Sequence, residues 1–165
     1  MTKSICYNDK IEKLAWTLRE QTSQTNYYAD VLTIAKQLGL NVYSADFDDD
    51  NISGFIEVNN DNEKKIVVNA KQPQNRRRFT IAHEIGHYIL EHLSTTNKEY
   101  RRVDYLNCDN SAHETQANKF AAILLMPKHM VEEAWGIFKD ISILSTLFGV
   151  SPQALAIRLT NLGLL

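Results

Sequence analysis

The chain has 165 residues, a formal net charge of −2 and a hydrophobic content of 44%. This near-neutral charge offers no overall electrostatic case for binding nucleic acid or a membrane surface. The two cysteines, Cys6 and Cys108, are too few for a disulfide scaffold, and no apolar run resembles a signal peptide or a membrane span. We therefore expect a cytoplasmic protein that folds as a single domain over residues 1–165.

Two helices are predicted in the first quarter of the chain. The first extends from Asn8 to about Glu20. The second extends from Tyr27 to Leu38, with apolar residues at helical spacing, and Gly39 is a typical residue for ending it.

Three short runs rich in β-branched and aromatic residues follow these helices. Residues 48–51 and 59–62, which separate the runs, consist of aspartate and asparagine, and these residues favour turns. The pattern predicts a small antiparallel three-stranded sheet. Its strands are Leu40–Phe47, Ile52–Val58 and Lys65–Ala70.

The segment His83-Glu84-Ile85-Gly86-His87 lies in a stretch that is predicted to be helical. Residues four apart share one helix face, so the two imidazoles can bind one Zn²⁺, with Glu84 placed as the general base toward the attacking water. Chance matches to so short a motif occur, and a histidine pair on a helix can also be a solvated face. Gly86 costs about 1 kcal/mol of helix stability relative to alanine, which indicates a need for close packing there.

A third metal ligand must come from another element. The extended H-E-x-x-H-x-x-G-x-x-H motif is excluded, because Leu90 and Leu93 stand where glycine and histidine are required. Another helix is predicted over His113–Met126. Glu114 lies on its apolar face, which favours a role as a metal ligand. The alternative is a capping box, in which Glu114 bonds to the backbone of Ser111.

The C-terminal part, about residues 139–165, is predicted to be a helix-turn-helix in outline. Its helices are Ile141–Phe148 and Pro152–Asn161, and Ser151 is placed as the cap of the second. Arg158 is the only cation of that second helix, and its other residues suit packing. The pattern therefore favours a structural or protein-docking role over contact with DNA.

Two longer segments carry a resemblance to a known family. They are Arg76-Arg-Arg-Phe-Thr-Ile-Ala-His-Glu-Ile-Gly-His87 and Glu114-Thr-Gln-Ala-Asn-Lys-Phe-Ala-Ala-Ile-Leu-Leu-Met-Pro127, with weaker support at 148–152 and 158–163. From about Leu40 onward the chain resembles the ImmA/IrrE family of metallopeptidases, which are paired with helix-turn-helix repressors. The resemblance implies His83, His87 and Glu114 as metal ligands and Glu84 as the general base.

The combined expectation is an α+β, zincin-like fold with a catalytic core at about 1–130 and the helical C-terminal part. The expected function is a zinc endopeptidase, with manganese as the alternative metal, that cleaves a helix-turn-helix repressor. Two other functions stay open: a non-hydrolytic module that binds a repressor or toxin partner, and a DNA-binding regulator. The donor that stabilises the transition state is unassigned; the candidates by chemistry are His92, Tyr100, Tyr105 and His113.

Overall fold

The computed structural model describes residues 2–59, 61, 63–90, 100–105 and 112–165, with the side chains of 2–9 and 100–105 left aside. Seven helices and four strands form within these ranges. In chain order they are α1 (Thr2–Gln21), α2 (Val31–Gln37), β1 (Leu40–Ala45), β2 (Ile52–Val58), β3 (Lys64–Asn69), α3 (Gln74–Ile89), β4 (Tyr100–Tyr105), α4 (Ala112–Leu125), α5 (Lys128–Phe138), α6 (Ile141–Phe148) and α7 (Pro152–Asn161).

The four strands form one mixed sheet with the order β1-β3-β2-β4. Strands β2 and β3 are an antiparallel hairpin, with Ile56 opposite Ile66, and β4 adds to β2, also antiparallel. Strand β1 pairs in parallel with β3, so that Val42 lies opposite Ile66. The α+β class is confirmed, as is the helical C-terminal part, but the prediction of an antiparallel three-stranded sheet is wrong.

Two physical features explain this difference. The connection from β1 to β2 passes the position of β3. Strand β1 therefore pairs with the free edge of β3 and does not form a hairpin with β2. Local alternation of residues does not encode which edge a strand joins. Strand β4 was not predicted, and it pairs antiparallel with β2.

Side-chain caps set several helix ends. Helix α2 is shorter than predicted because Asp30 accepts hydrogen bonds from the backbone N–H groups of Leu32 and Thr33, which makes Asp30 the N-cap. Helix α1 extends beyond the predicted Asn8–Glu20, and α5 was not predicted. The bounds of α6 and α7 are confirmed, and Ser151 caps α7 through Ala154 N–H as expected.

The main cluster of buried apolar side chains draws on every helix from α1 to α7 and on the sheet. Helix α3 packs between the sheet and α4. Gly54 of β2 permits the first contact, because a Cβ atom there would lie 2.7 Å from Thr80 Cγ2 and 2.7 Å from the carbonyl oxygen of Val67. The helix that carries the histidines is therefore held in close contact with the sheet.

No single helix in the described ranges is both long and apolar enough to cross a membrane. The pair α6 and α7 meets that criterion only when the two are counted together, across a bend of 103°.

Candidate metal centre

His83 and His87 are both buried on α3, with exposed fractions of 2% and 1%. Their Nε2 atoms lie 3.0 Å apart and their rings are nearly perpendicular, at 80°. The predicted helix therefore does place both imidazoles on one face, with one nitrogen of each directed at the same point.

Glu114 enters the same point from the first turn of α4. Its Oε2 atom lies 3.1 Å from His83 Nε2, and its Oε1 atom lies 3.3 Å from His87 Nε2. One donor atom from each of the three residues lies within 4.8 Å of the others. Ser111 lies outside the described residues, so the capping-box alternative for Glu114 stays a prediction.

Close packing of α3 on α4 makes this convergence possible. A Cβ atom on Gly86 would lie 3.2 Å from Phe120 Cδ1 and 3.3 Å from the Cα atom of Ala117, tighter than ordinary contact. The expectation that Gly86 serves close packing is confirmed. Glycine between the two histidines lets α4 approach until Glu114 reaches them.

Asn118 is a residue of this site that sequence reasoning missed. Its Oδ1 atom lies 3.0 Å from His83 Nδ1. Because an amide oxygen accepts, Nδ1 of His83 carries the proton and donates a hydrogen bond to Asn118, which leaves the Nε2 lone pair facing His87 and Glu114. A signal was present, since Asn118 is four residues after Glu114 and shares its helix face.

The remaining candidates are the general base and the donors proposed for the transition state. Glu84, the predicted general base, follows His83 on α3 and is fully buried. His113 is exposed at the start of α4, whereas Tyr100 and Tyr105 are described only as backbone of β4. His92 lies outside the described residues, and the assignment of a transition-state donor stays a prediction.

The three donors fit a divalent metal ion. Two imidazole nitrogens and a carboxylate form a typical catalytic zinc set, and tetrahedral ligands at about 2.0–2.1 Å from zinc are about 3.3 Å apart. The observed separations between donor atoms are 3.0–3.3 Å. In a buried cluster the lone pairs and the carboxylate charge repel one another unless a cation lies between them.

Arg78 lies on α3 before the two histidines and anchors the N-terminal half of that helix. Arg78 is 5% exposed, and its guanidinium donates to the carbonyl oxygens of Ala29 at 2.7 Å, Phe148 at 3.1 Å and Gly149. Burial lowers the Arg78 pKa, although the charges of Tyr28 and Asp30 act in the opposite direction. This one side chain connects the histidine helix to the segment before α2 and to the turn between α6 and α7.

Comparisons with known proteins agree with this geometry. The model of a peptidase family described as the IrrE N-terminal-like domain matches residues 35–160. The chain is 36% identical over 95 residues to the radiation response metalloprotease IrrE of Deinococcus deserti; the match covers 55% of this chain and 29% of that protein.

A solved structure of a Mycobacterium tuberculosis transcriptional regulator has the same fold. The TM-score is 0.64 at 20% identity, over 92% of this chain and 46% of the regulator. The chain therefore spans less than half the length of either protein. The resemblance to the ImmA/IrrE family is confirmed, and that family implies a divalent metal. Since the matched residues 35–160 include α3, α4 and all three donors, the chain belongs to the peptidase family of IrrE N-terminal-like domains.

Proposed function

We propose that this chain is a zinc-dependent, site-specific endopeptidase that cleaves a helix-turn-helix repressor. The observation that carries the proposal is the convergence of His83, His87 and Glu114, with their donor atoms within 4.8 Å. Two imidazoles and one carboxylate leave a fourth position of a tetrahedral ion open, which is the arrangement of catalytic zinc sites. Manganese prefers more oxygen ligands, so this donor set favours zinc.

Each residue of the site has one task. His83, His87 and Glu114 hold the metal, which when bound supplies a Lewis acid for the scissile carbonyl and acidifies the attacking water. Glu84, one residue after His83 and fully buried, takes the proton from that water. After the water oxygen has added to the scissile carbonyl carbon, Glu84 would donate that proton to the leaving amine nitrogen. The peptide C–N bond then breaks and leaves a carboxylate and a free amine.

The resemblance to a family paired with helix-turn-helix repressors supports a repressor as the substrate. An extended linker of such a protein can add to an open sheet edge, and β1 and β4 are the outer strands of the sheet within the described ranges. Direct DNA binding has less support, because Arg158, the cation on which it depended, is 9% exposed and donates through Nε to the carbonyl oxygen of Met126 at 3.0 Å.

The test combines metal content with cleavage. We expect about one equivalent of zinc per wild-type chain, and at least a tenfold weaker affinity in His83→Ala and Glu114→Ala. Glu84→Gln keeps its zinc because Glu84 is not a ligand. Purified wild type is then incubated with the helix-turn-helix repressor encoded nearest to its gene, and fragments are detected by mass spectrometry.

We expect cleavage by wild type that is abolished by Glu84→Gln and by chelation of the metal. If the wild-type protein takes up no zinc when zinc is offered, the proposal of a zinc peptidase is wrong. A Glu84→Gln protein that relieves repression as well as wild type would instead establish the non-hydrolytic binding module.

A further inference from the structure

A groove of about 1060 Å³ lies beside the metal centre. Its lining comes mainly from α3, α4 and α7, with the turn between α6 and α7, Lys128 of α5 and Glu12 of α1. Neither the metal ligands nor Glu84 line it, so it is a separate feature from the donor cluster.

The groove continues along the helix faces that carry the ligands. Phe79 lies one turn before His83 on α3, and their ring centroids are 6.4 Å apart. Asn118 lies one turn after Glu114 on α4 and accepts the hydrogen bond from His83, and Ala122 follows one turn later. Phe79, Asn118 and Ala122 all line the groove. A peptide that crosses the metal centre along these two helices would therefore extend into the groove.

The lining is apolar at its base and positively charged. Ile123, Met126 and Val150 are buried in it, and Ile157 presents an apolar side chain that is 56% exposed. Its charged lining residues, among those described, are four cations and one carboxylate: Arg76, Lys119, Lys128, Arg158 and Glu12. The whole chain has a net charge of −2, so this cationic groove is a local departure from the overall charge.

Two of these guanidinium groups have unused donors. Nη2 of Arg158 and Nε of Arg76 are buried and have no hydrogen-bond partner within the described part of the chain. Arg158 is more than nine-tenths buried, and its Nε donates to the carbonyl oxygen of Met126. A buried guanidinium donor without a partner is costly, and a carboxylate is the group whose geometry matches it best.

We propose that this groove binds one arm of the substrate and selects an apolar segment that carries carboxylate side chains. The proposal rests on the proposed peptidase function, because it assigns a substrate segment to a groove that adjoins the metal centre. Apolar side chains of the substrate pack on Ile123, Met126 and Ile157, while its carboxylates pair with Arg158, Arg76 and Lys128.

This assignment gives the helix-turn-helix-like pair a different use. A recognition helix contacts DNA bases mainly through the residues near its N-terminus. In α7 those residues, Gln153, Ala154 and Ile157, line the groove. The face that would read DNA is thus the face that holds the acidic peptide.

Binding is measured in Glu84→Gln, so that the result does not depend on cleavage. The probes are two short fluorescein-labelled amphipathic peptides with the same leucine stripe, one carrying glutamates and the other lysines at the polar positions. By anisotropy we expect the glutamate peptide to bind about tenfold more tightly, with the difference decreasing at high salt.

Matched variants locate the binding site. Ile157→Glu and Lys128→Glu should weaken binding of the glutamate peptide by about tenfold and about fivefold. The controls Ile143→Glu and Lys36→Glu lie at exposed positions outside the groove, and they should change the affinity for the glutamate peptide by less than about twofold. Thermal melting confirms that all four variants are folded.

Equal binding of the two peptides, or equal losses in the control variants, would overturn the proposal. So would duplex DNA that binds the wild type and is released by Ile157→Glu, because the groove would then be a nucleic-acid site. None of these outcomes changes zinc content or repressor cleavage, so the groove and the peptidase function fail separately.

Discussion

At the scale of single residues, His83 is oriented by a side chain that is not itself a candidate ligand. Asn118 is exposed, yet its Oδ1 atom accepts from His83 Nδ1 at 3.0 Å. Groups that orient a ligating histidine tune metal affinity, and an exposed side chain contributes little to the free energy of folding. The metal-free protein therefore has little need of Asn118, whereas the metal-bound form depends on it.

We expect Asn118→Ala to weaken zinc binding by about 10- to 100-fold, measured by competition with a chelating dye. The free energy of unfolding of the metal-free protein should change by less than about 0.5 kcal/mol, because the side chain is exposed. Thr115→Ala, an exposed position on the same helix, is the control and should bind zinc as wild type does. Unchanged affinity in Asn118→Ala would remove this residue from the site.

At the scale of elements, the position of α3 depends on small residues at both of its contacts. Gly54 lies under Thr80 on the sheet side, and Gly86 lies against Ala117 and Phe120 on the α4 side. Neither glycine has a positive φ, so backbone conformation does not require them. Their role is to leave room for the neighbouring element, because they have no side chain. The metal centre is formed by two helices whose separation is set at such contacts.

We expect Gly54→Ala to destabilise the protein by about 1–3 kcal/mol in urea unfolding. The new Cβ atom would lie 2.7 Å from the Val67 carbonyl oxygen, which belongs to the backbone of β3 and cannot move without disturbing the hairpin. Gly136→Ala is the matched control: nothing lies within 4 Å of a Cβ there, and the position is inside α5. It should stabilise the protein by about 0.5–1 kcal/mol. A neutral Gly54→Ala would show that β2 and α3 can separate freely.

At the scale of the whole molecule, Arg78 joins three parts that are distant in sequence. Its donors satisfy carbonyl oxygens of Ala29, Phe148 and Gly149, and its guanidinium lies 3.8 Å from the centroid of the Tyr28 ring. The turn between α6 and α7 is thereby attached to the helix that carries the histidines. The groove between α3, α4 and α7 keeps its shape only if that attachment holds.

We expect Arg78→Met to lower the free energy of unfolding by about 3 kcal/mol or more, because buried carbonyl oxygens lose their donors. Arg78→Lys should recover only part of the loss, since one ammonium group cannot reproduce the guanidinium fork. Lys10→Met, at an exposed position on α1, should stay within about 0.5 kcal/mol of wild type. If Arg78→Met were as stable as Lys10→Met, these hydrogen bonds would not hold the parts together.

Much of this protein could be predicted from the sequence because the relevant signals are local. The spacing of His83 and His87 follows from helix geometry alone, and the bounds of α6 and α7 follow from Ser151, Pro152 and a regular apolar period. The apolar face of α4 likewise indicated that Glu114 points inward. The three donors that the structure brings together were therefore identified without it.

Tertiary structure alone decided how these local pieces meet. The parallel pairing of β1 with β3 and the addition of β4 to β2 depend on which sheet edges are free, and no residue pattern states this. The role of Asn118 and the groove along α3, α4 and α7 both depend on the distance between helices, which Gly86 permits. The sequence by itself determined the donor chemistry, because that depends on residue types and helical period. The contacts between elements decided the shape around it, because they depend on packing across the whole fold.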